Sequence, residues 1–288
     1  LTNDIVSCKQ RNADVLNLDL SWDRLISEKE HMESKADKGD WIYGRRPVAE
    51  VFGAARRHVY ELLVVEEGRE TPELTQLRAG AARAGAPVRK VSRRDLDDLT
   101  QNGHHQGVAV RTGGFPYVCV EEVAGMVEKR KDALVLILDH LEDPQNLGSL
   151  LRTADAAGVH AVVIPEDRAV GVTPAVVRAS AGASEHMRVA RVVNLVRAME
   201  MLKKAGLWTV GLDMEGDDVQ PYTAIDFKDR IGIVIGSEGH GLKRLTRETC
   251  DFIARLPMAG QVASLNAAVA GAICLYEAVR QRQGSAKN

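Results

Sequence analysis

Three stretches of the chain set polar side chains among glycines or small residues, where they could meet a ligand. In the first, Leu138 to Gly158 (LDHLEDPQNLGSLLRTADAAG), a polar loop leads into helical spacing. Leu147, Leu150, Leu151 and Ala154 recur at i, i+3, i+4 and i+7 and form a buried stripe. Arg152 falls well off that stripe and reads locally as a surface arginine. Asn146 stands at the helix start, where it caps the helix or faces a ligand. In the second, Ile231 to Leu245 (IGIVIGSEGHGLKRL), Gly236, Gly239 and Gly241 enclose Glu238 and His240. Such glycines allow close backbone approach to a ligand or a tight turn. The spacing is neither the dinucleotide fingerprint nor a P-loop. In the third, Ala254 to Arg280, a Pro-Met-Ala-Gly turn precedes Ser264-Leu265-Asn266, which opens a final helix rich in alanine and glycine. Most of that helix reads as tightly packed core, with Ser264 and Asn266 as the polar exceptions. Amides, a carboxylate, a hydroxyl and a guanidinium suit positioning and charge stabilisation.

Regular elements must carry these groups. Ala133 to Asp139 (ALVLILD) is a continuous apolar run, as in a strand buried on both faces. A helix, AVVIP, a helix from Thr173, HMRVA, a helix ending at Ala205 and LWTVGL follow. Then come IGIVIG, a turn with a short helix, FIARLP, and a long helix to about Arg282. This alternation predicts a parallel sheet covered on both faces. Ligands of such sheets gather at the carboxyl ends of strands, where all three polar loops fall.

Upstream, a smaller α/β unit begins at Trp41. Arg46 to Arg57 has helical spacing, with Val48, Val51, Phe52 and Ala55 on one side. Leu62 to Val65 reads as a strand. A helix starts at Thr71 with Pro72 in its first turn and ends near Gly85. Pro87 to Val91 is a second strand, Ser92 caps a helix through Leu99, and Val108 to Arg111 is a third strand. The expected organisation is an extension over 1–40, this small domain over 41–112, a linker with a short helix over 113–132, and the larger α/β domain over 133–284. The extension is polar and weakly periodic. With Leu1 at the start and Met32 just before the first patterned segment, we expect residues 1–40 to be disordered or the natural start to lie near Met32.

Of the 288 residues, 27% are charged and 45% hydrophobic, an ordinary globular balance. No apolar run reaches the length of a membrane span, and no basic-then-apolar signal pattern opens the chain. Cys8, Cys119, Cys250 and Cys274 are dispersed without CxxC spacing, which argues against a zinc site or disulfide framework and for a reducing cytoplasm. Net charge is −2, yet residues 41–118 hold 12 Lys+Arg against 9 Asp+Glu. Arginines such as Arg45, Arg46, Arg56, Arg57, Arg83, Arg89, Arg93, Arg94 and Arg111 suit phosphate recognition, although a solvated surface explains the charge equally well.

Together the three motifs resemble those of the SpoU (TrmH) family of RNA ribose 2′-O-methyltransferases, in the SPOUT superfamily, over the whole second unit. The first unit, with IYGRRPVAEVF and HHQGVAV, is similar to that family's L30e-like RNA-binding domain. The stretches SLNAAVAGAICLYEAVRQR and LRTADAAGVHAVVIPEDRA are most similar to the bacterial enzymes acting on guanosine ribose in 23S rRNA. The resemblance implies a SPOUT-type parallel sheet with a trefoil knot, a rare exception to unknotted topology. It implies S-adenosylmethionine bound in the knot, with Gly236, Leu256 and Leu265 at cofactor-contact positions and Met258 beside them. It implies Asn146, Arg152, Glu238, Ser264 and Asn266 as the polar active-site set, a homodimer with the last helix in its interface, and no metal. The chain departs from the pattern at Ala267-Ala268, where many members have Val-Ser, and at His240, where the family residue is often acidic or small.

For methyl transfer from a sulfonium, the protein supplies positioning and electrostatics. Arg152 does not normally deprotonate, so its expected role is to bind a neighbouring phosphate and stabilise the developing 2′-oxyanion. Asn146 and Asn266 would orient it and the substrate, and Glu238 would fix Arg152 or the loop. Arg45, Arg46, Arg93, Arg94 and Arg111 would hold RNA phosphates or stack on bases. His104 and His105 read as a loop near RNA or solvent. Competing readings are methylation of tRNA or another rRNA site, a non-catalytic RNA-binding or ribosome-assembly factor, and a Rossmann-type small-molecule methyltransferase. The intact polar set opposes the second of these, and the missing glycine-rich loop after a first strand opposes the third.

Overall fold

A computed structural model describes residues 39–66, 70–214, 216, 218–239, 241–261 and 264–285. Expectations for residues 1–38 and for His240 lie outside the described residues. Two sheets organise the rest. The first comprises β1 (Asp40–Tyr43), β2 (Val59–Val65), β3 (Val88–Val91) and β4 (Val108–Thr112), in the order β1-β4-β2-β3. Helices α1 (Arg45–Ala54), α2 (Pro72–Arg83) and α3 (Arg93–Thr100) connect them. The Thr71 and Ser92 side chains accept from Leu74 N and Asp95 N, so both expected helix starts are present.

Several details depart from expectation. The strand at Asp40–Tyr43 was not legible: its four residues show no clean alternation, and antiparallel pairing with β4 defines it. Asp40 therefore belongs to this sheet rather than to the extension. The first helix stops at Ala54 because Ala55 takes a left-handed conformation, with φ 49°, and Ala55 is exposed. Arg56 and Arg57 lie beyond the helix, and Arg57 is buried.

The second sheet has seven strands: β5 (Leu134–Asp139), β6 (Ala161–Pro165), β7 (Val189–Val192), β8 (Trp208–Leu212), β9 (Val219–Pro221), β10 (Ile231–Gly236) and β11 (Phe252–Arg255). Their order is β7-β6-β5-β10-β8-β11-β9, and every pairing is parallel. The three-residue edge strand β9 was too short to read. The remaining helices are α4 (Val120–Lys129), α5 (Pro144–Ala156), α6 (Pro174–Ala179), α7 (Leu195–Lys204), α8 (Arg244–Thr249) and α9 (Ala267–Ser285).

Both faces are covered. Leu134, Leu136 and Leu138 pack with Leu147, Leu150, Leu151, Val176 and Leu275 from α5, α6 and α9. Val135 and Ile137 point the other way, toward Val123 and Val127 of α4 and Leu195, Ala198, Met199 and Leu202 of α7. The stretch expected as a linker thus contributes α4 to the second core. Two contacts on the first face depend on glycine. A Cβ on Gly148 would overlap the Ala179 side chain, and one on Gly271 would overlap Ile235 and Leu150. These close approaches seat α6 on α5, and α9 on α5 and β10.

Gly148→Val should therefore lower unfolding free energy by about 1–3 kcal/mol through overpacking, read from the denaturant midpoint at unchanged m-value. An unchanged midpoint would mean that the α5–α6 contact has slack.

Candidate active site

The strand order reverses between β5 and β10. Helix α5 leaves β5 for one face of the sheet, and α8, which follows β10, lies with α7 on the other. Parallel register sets Asp139 at the end of β5 beside Gly236 at the end of β10. A crevice opens where such connections diverge. On the β8 and β11 side of β10, next to this point, a cavity of about 990 Å³ is lined by the carboxyl ends of β8, β10 and β11 and by the approach to α9.

Gly236, Glu238, Leu256, Met258, Ser264, Leu265 and Asn266 all line it. The glycine loop folds back on itself. Ser237 and Gly241 exchange backbone hydrogen bonds of 3.1 and 3.0 Å. A Cβ on Gly236 would overlap the backbone of Gly241 and Leu242. Close approach is therefore needed first between the two arms of the loop, and the wall that results faces the cavity.

Three polar side chains from three elements converge at the cavity edge. Asn146 Nδ2 donates to Glu238 Oε1. Asn266 Nδ2 donates to Glu238 Oε1 at 2.7 Å and to Asn146 Oδ1 at 2.9 Å. Asn266 Oδ1 accepts from the backbone N–H of Ala268 and Val269 at 2.9 and 3.2 Å. Asn266 is thus the N-cap of α9, and the helix opens at Ala267 rather than at Ser264. Asn146 is not a cap, because Asp143 fills that role by accepting from Gln145 N at 3.0 Å. Released from capping, Asn146 is 7% exposed and turned to Glu238.

Arg152 is exposed on α5. Among the described residues, no hydrogen bond or ion pair joins it to Glu238, whose partners are the two asparagines. Of the two expected roles for Glu238, fixing Arg152 or fixing the loop, the contact with Arg152 is not made among the described residues, and Glu238 instead joins its loop to α5 and the start of α9. Ser264 is exposed at the cavity.

Sequence reasoning missed Asp139. Its buried carboxylate accepts from Lys243 N at 2.7 Å and pairs with His140 Nδ1 at 2.5 Å, which ties the end of β5 to the loop after β10. An aspartate closing an apolar strand beside a polar loop was the available signal. Asp213 and Arg247 also line the cavity. They meet at 3.4 Å, and no spacing rule pointed to them.

Of the arginines expected to meet RNA, Arg46, Arg93 and Arg94 are exposed. Arg45 is tied to the loop after α3 through Gln106, and it lies 3.7 Å from Glu73. Arg111 is committed to Glu61 at 2.9 Å and lies over the Tyr60 ring, because it projects from a central strand. Arg89 shares the same carboxylate at 3.1 Å. His105 is buried, contrary to the loop-surface expectation. Its Nδ1 accepts from Gly107 N, so Nε2 donates to Asp97 at 2.9 Å. His104 is exposed.

Burial pushes the Cys250 and Cys274 thiols up to about 12, which leaves them inert near neutrality. Among the described residues, no group of three or more His, Cys, Asp or Glu could hold a metal ion, and no helix is long and apolar enough to cross a membrane.

Comparison with known proteins agrees with this geometry. The SpoU rRNA Methylase family model matches residues 133–276, and the model for RNA 2′-O ribose methyltransferase substrate binding matches residues 41–118. The 23S rRNA (guanosine-2′-O-)-methyltransferase RlmB of Xanthomonas campestris pv. campestris is 42% identical over 249 residues, covering 86% of this chain and 99% of that protein. The enzyme of the same name from Bordetella pertussis is 45% identical over 235 residues, covering 80% and 94%. Among solved structures, the SpoU methyltransferase AviRb from Streptomyces viridochromogenes, in complex with the cofactor AdoMet, superposes with a TM-score of 0.70 at 28% identity, covering 85% of this chain and 90% of that one.

Gly236→Ala should push the Gly241–Leu242 backbone away, lower the denaturant midpoint, and weaken S-adenosylmethionine binding by roughly tenfold, about 1.4 kcal/mol, in calorimetric titration. Wild-type affinity in this variant would show that the folded-back loop does not shape the cofactor wall.

Proposed function

The chain belongs to the SpoU rRNA methylase family, and on that premise we propose that it transfers a methyl group from S-adenosylmethionine to the 2′-hydroxyl of a guanosine ribose in 23S rRNA. The carrying observation is Glu238, held by Asn146 and Asn266 at the edge of a cavity sized for a small molecule. The cavity suits this cofactor: Leu256, Met258 and Leu265 offer apolar surface for an adenine, and Glu238 offers negative charge to a cationic sulfonium. When bound, the cofactor supplies an activated methyl group.

The chain's own groups would then position the ribose. Arg152 would bind a phosphate beside the target ribose and stabilise negative charge growing on the 2′-oxygen. Its exposure on α5, the helix that also carries Asn146, supports this role. Asn146 and Asn266 would hold Glu238 and present it to the substrate, and the Ser264 hydroxyl would meet the substrate from the cavity rim. Gly236, Leu256, Leu265 and Met258 would contact the cofactor.

The same reading makes the segment between β11 and α9 part of a trefoil knot threading the loop after β10. In support, residues of both segments line one cavity. It makes 41–112 an L30e-like RNA-binding domain and 133–284 the SPOUT domain, joined by 113–132. In the former, the exposed Arg46, Arg93 and Arg94, with Arg45, would meet phosphates. Helix α9 leaves Val269, Ile273 and Tyr276 exposed, with Leu265 just before it, at spacings that fall on one face. This apolar stripe supports a homodimer packed through α9. A ribosomal RNA substrate gives the protein a cytoplasmic place of action.

With labelled S-adenosylmethionine and full-length 23S rRNA, the wild type should yield one 2′-O-methylguanosine, and Arg152→Ala should lose roughly 10²–10³-fold in turnover with cofactor affinity intact. Full turnover in Arg152→Ala would remove the assigned role. Val269→Glu should shift the sedimenting mass from dimer to monomer; an unchanged dimer would place the interface elsewhere.

A further inference from the structure

The junction between the first sheet and the second is built around one buried ion pair that methyl transfer itself does not require. Arg57 donates from Nε to Glu185 Oε2 and from Nη2 to Glu185 Oε1, both at 2.8 Å. The two side chains are 0% and 1% exposed. The remaining guanidinium nitrogen meets Asp40 at 3.0 Å and the Gly113 carbonyl at 3.3 Å, and the group lies 5.1 Å from the Phe115 ring centroid. Beside it, Arg56 donates to the carbonyls of Glu185, Met187 and Pro116 at 3.2, 2.5 and 3.2 Å. Glu50 pairs with His186 at 2.8 Å, and Arg178 stacks on Tyr43.

The contacts to Glu185, His186 and Met187 run between the region around the first sheet and the stretch that follows α6, the one to Arg178 reaches α6 itself, and those to Asp40, Gly113, Phe115 and Pro116 brace the two arginines from their own side. That stretch, a single 3-10 turn over Ala183–His186, is itself rigidly held. Ser180 Oγ donates to Ser184 Oγ at 3.1 Å, and a Cβ on Gly182 would overlap the Glu50 side chain. The turn continues α6, which is seated on α5 through Gly148. A continuous chain of tight contacts therefore links α1, whose first residues are Arg45 and Arg46, to α5, which carries Asn146 and Arg152.

An apolar junction would tolerate sliding. A desolvated bidentate arginine–carboxylate pair has one geometry, and its stabilisation is offset by the cost of burying two charges. What such a pair adds is a fixed orientation. We propose that Arg57 and Glu185 are positioning residues that hold the RNA-binding face at a set distance from the methyl-transfer site, so that the nucleotide presented to the cofactor is chosen by reach from the RNA contacts. The inference rests on the proposed RNA methyltransferase activity, and the pair touches neither substrate nor cofactor.

The experiment maps 2′-O-methylation on full-length 23S rRNA, nucleotide by nucleotide, for the wild type, Glu185→Gln and the double variant Arg178→Ala/His186→Ala. The double variant removes only partly exposed junction contacts and so stays folded if Glu185→Gln does not. Cofactor affinity is measured for each by calorimetry. The expected result is a single site for the wild type. In the variants we expect at least a tenfold rise in the share of methyl groups on neighbouring nucleotides, a raised KM for RNA, and cofactor affinity within twofold of wild type. A folded variant that loses turnover uniformly while methylating the same single nucleotide would overturn the proposal, leaving the pair a purely structural one. Absence of any wild-type product would instead overturn the activity on which the proposal rests.

Discussion

The parallel register that sets Asp139 beside Gly236 is the constraint on which the site depends. Two apolar strands, buried on both faces, have little freedom to slip, because a one-residue shift would exchange the side chains fitted to one helix layer with those fitted to the other. That pairing brings the loop before α5 next to the loop after β10. Asp139 then bonds the second loop directly through Lys243 N. Only with both loops so placed can Asn146 and Glu238, 92 positions apart, share a hydrogen bond.

The third component arrives differently. Asn266 is delivered by α9, which lies close to β10 and α5 because Gly271 has no side chain to hold it away. The alanines and glycines that read as packing residues are thus what allow an amide at the helix start to reach a carboxylate on another loop. Packing and chemistry are one problem here, and the cavity opens beside the loop after β10 and the start of α9.

How much of this was legible in the sequence follows the physics of each signal. The doubly buried strands were plain, because ALVLILD and IGIVIG admit few other structures. Helix starts at Thr71 and Ser92 were plain because capping is local chemistry. The short edge strands β1 and β9 were not, since pairing across the sheet rather than intrinsic preference makes them strands. The site residues Asn146, Glu238, Ser264 and Asn266 stood out as polar groups in loops at strand ends, and the structure brings Asn146, Glu238 and Asn266 into hydrogen-bond contact. Arg152 read locally as a surface arginine and entered the expected set only through the family resemblance; it is exposed on α5 and bonded to none of the three. The burial of Arg57 against Glu185 had no sequence signal, because arginine is ordinarily a surface residue and its partner lies 128 positions away. The pairing of Arg111, expected at RNA, with Glu61 was equally invisible in the sequence.

Asn266 has a consequence of its own. Its oxygen caps α9 while its nitrogen holds Glu238 and Asn146. Aspartate and serine cap a helix about as well as asparagine does. Aspartate, however, would set a second carboxylate against Glu238, and serine has neither the reach nor the paired donor and acceptor of an amide. Each task alone tolerates several residues, and the overlap of the two leaves one. Genetic drift at this position is therefore closed from two sides at once, by the stability of a 19-residue helix and by the arrangement of the site, so that a single substitution would register in both.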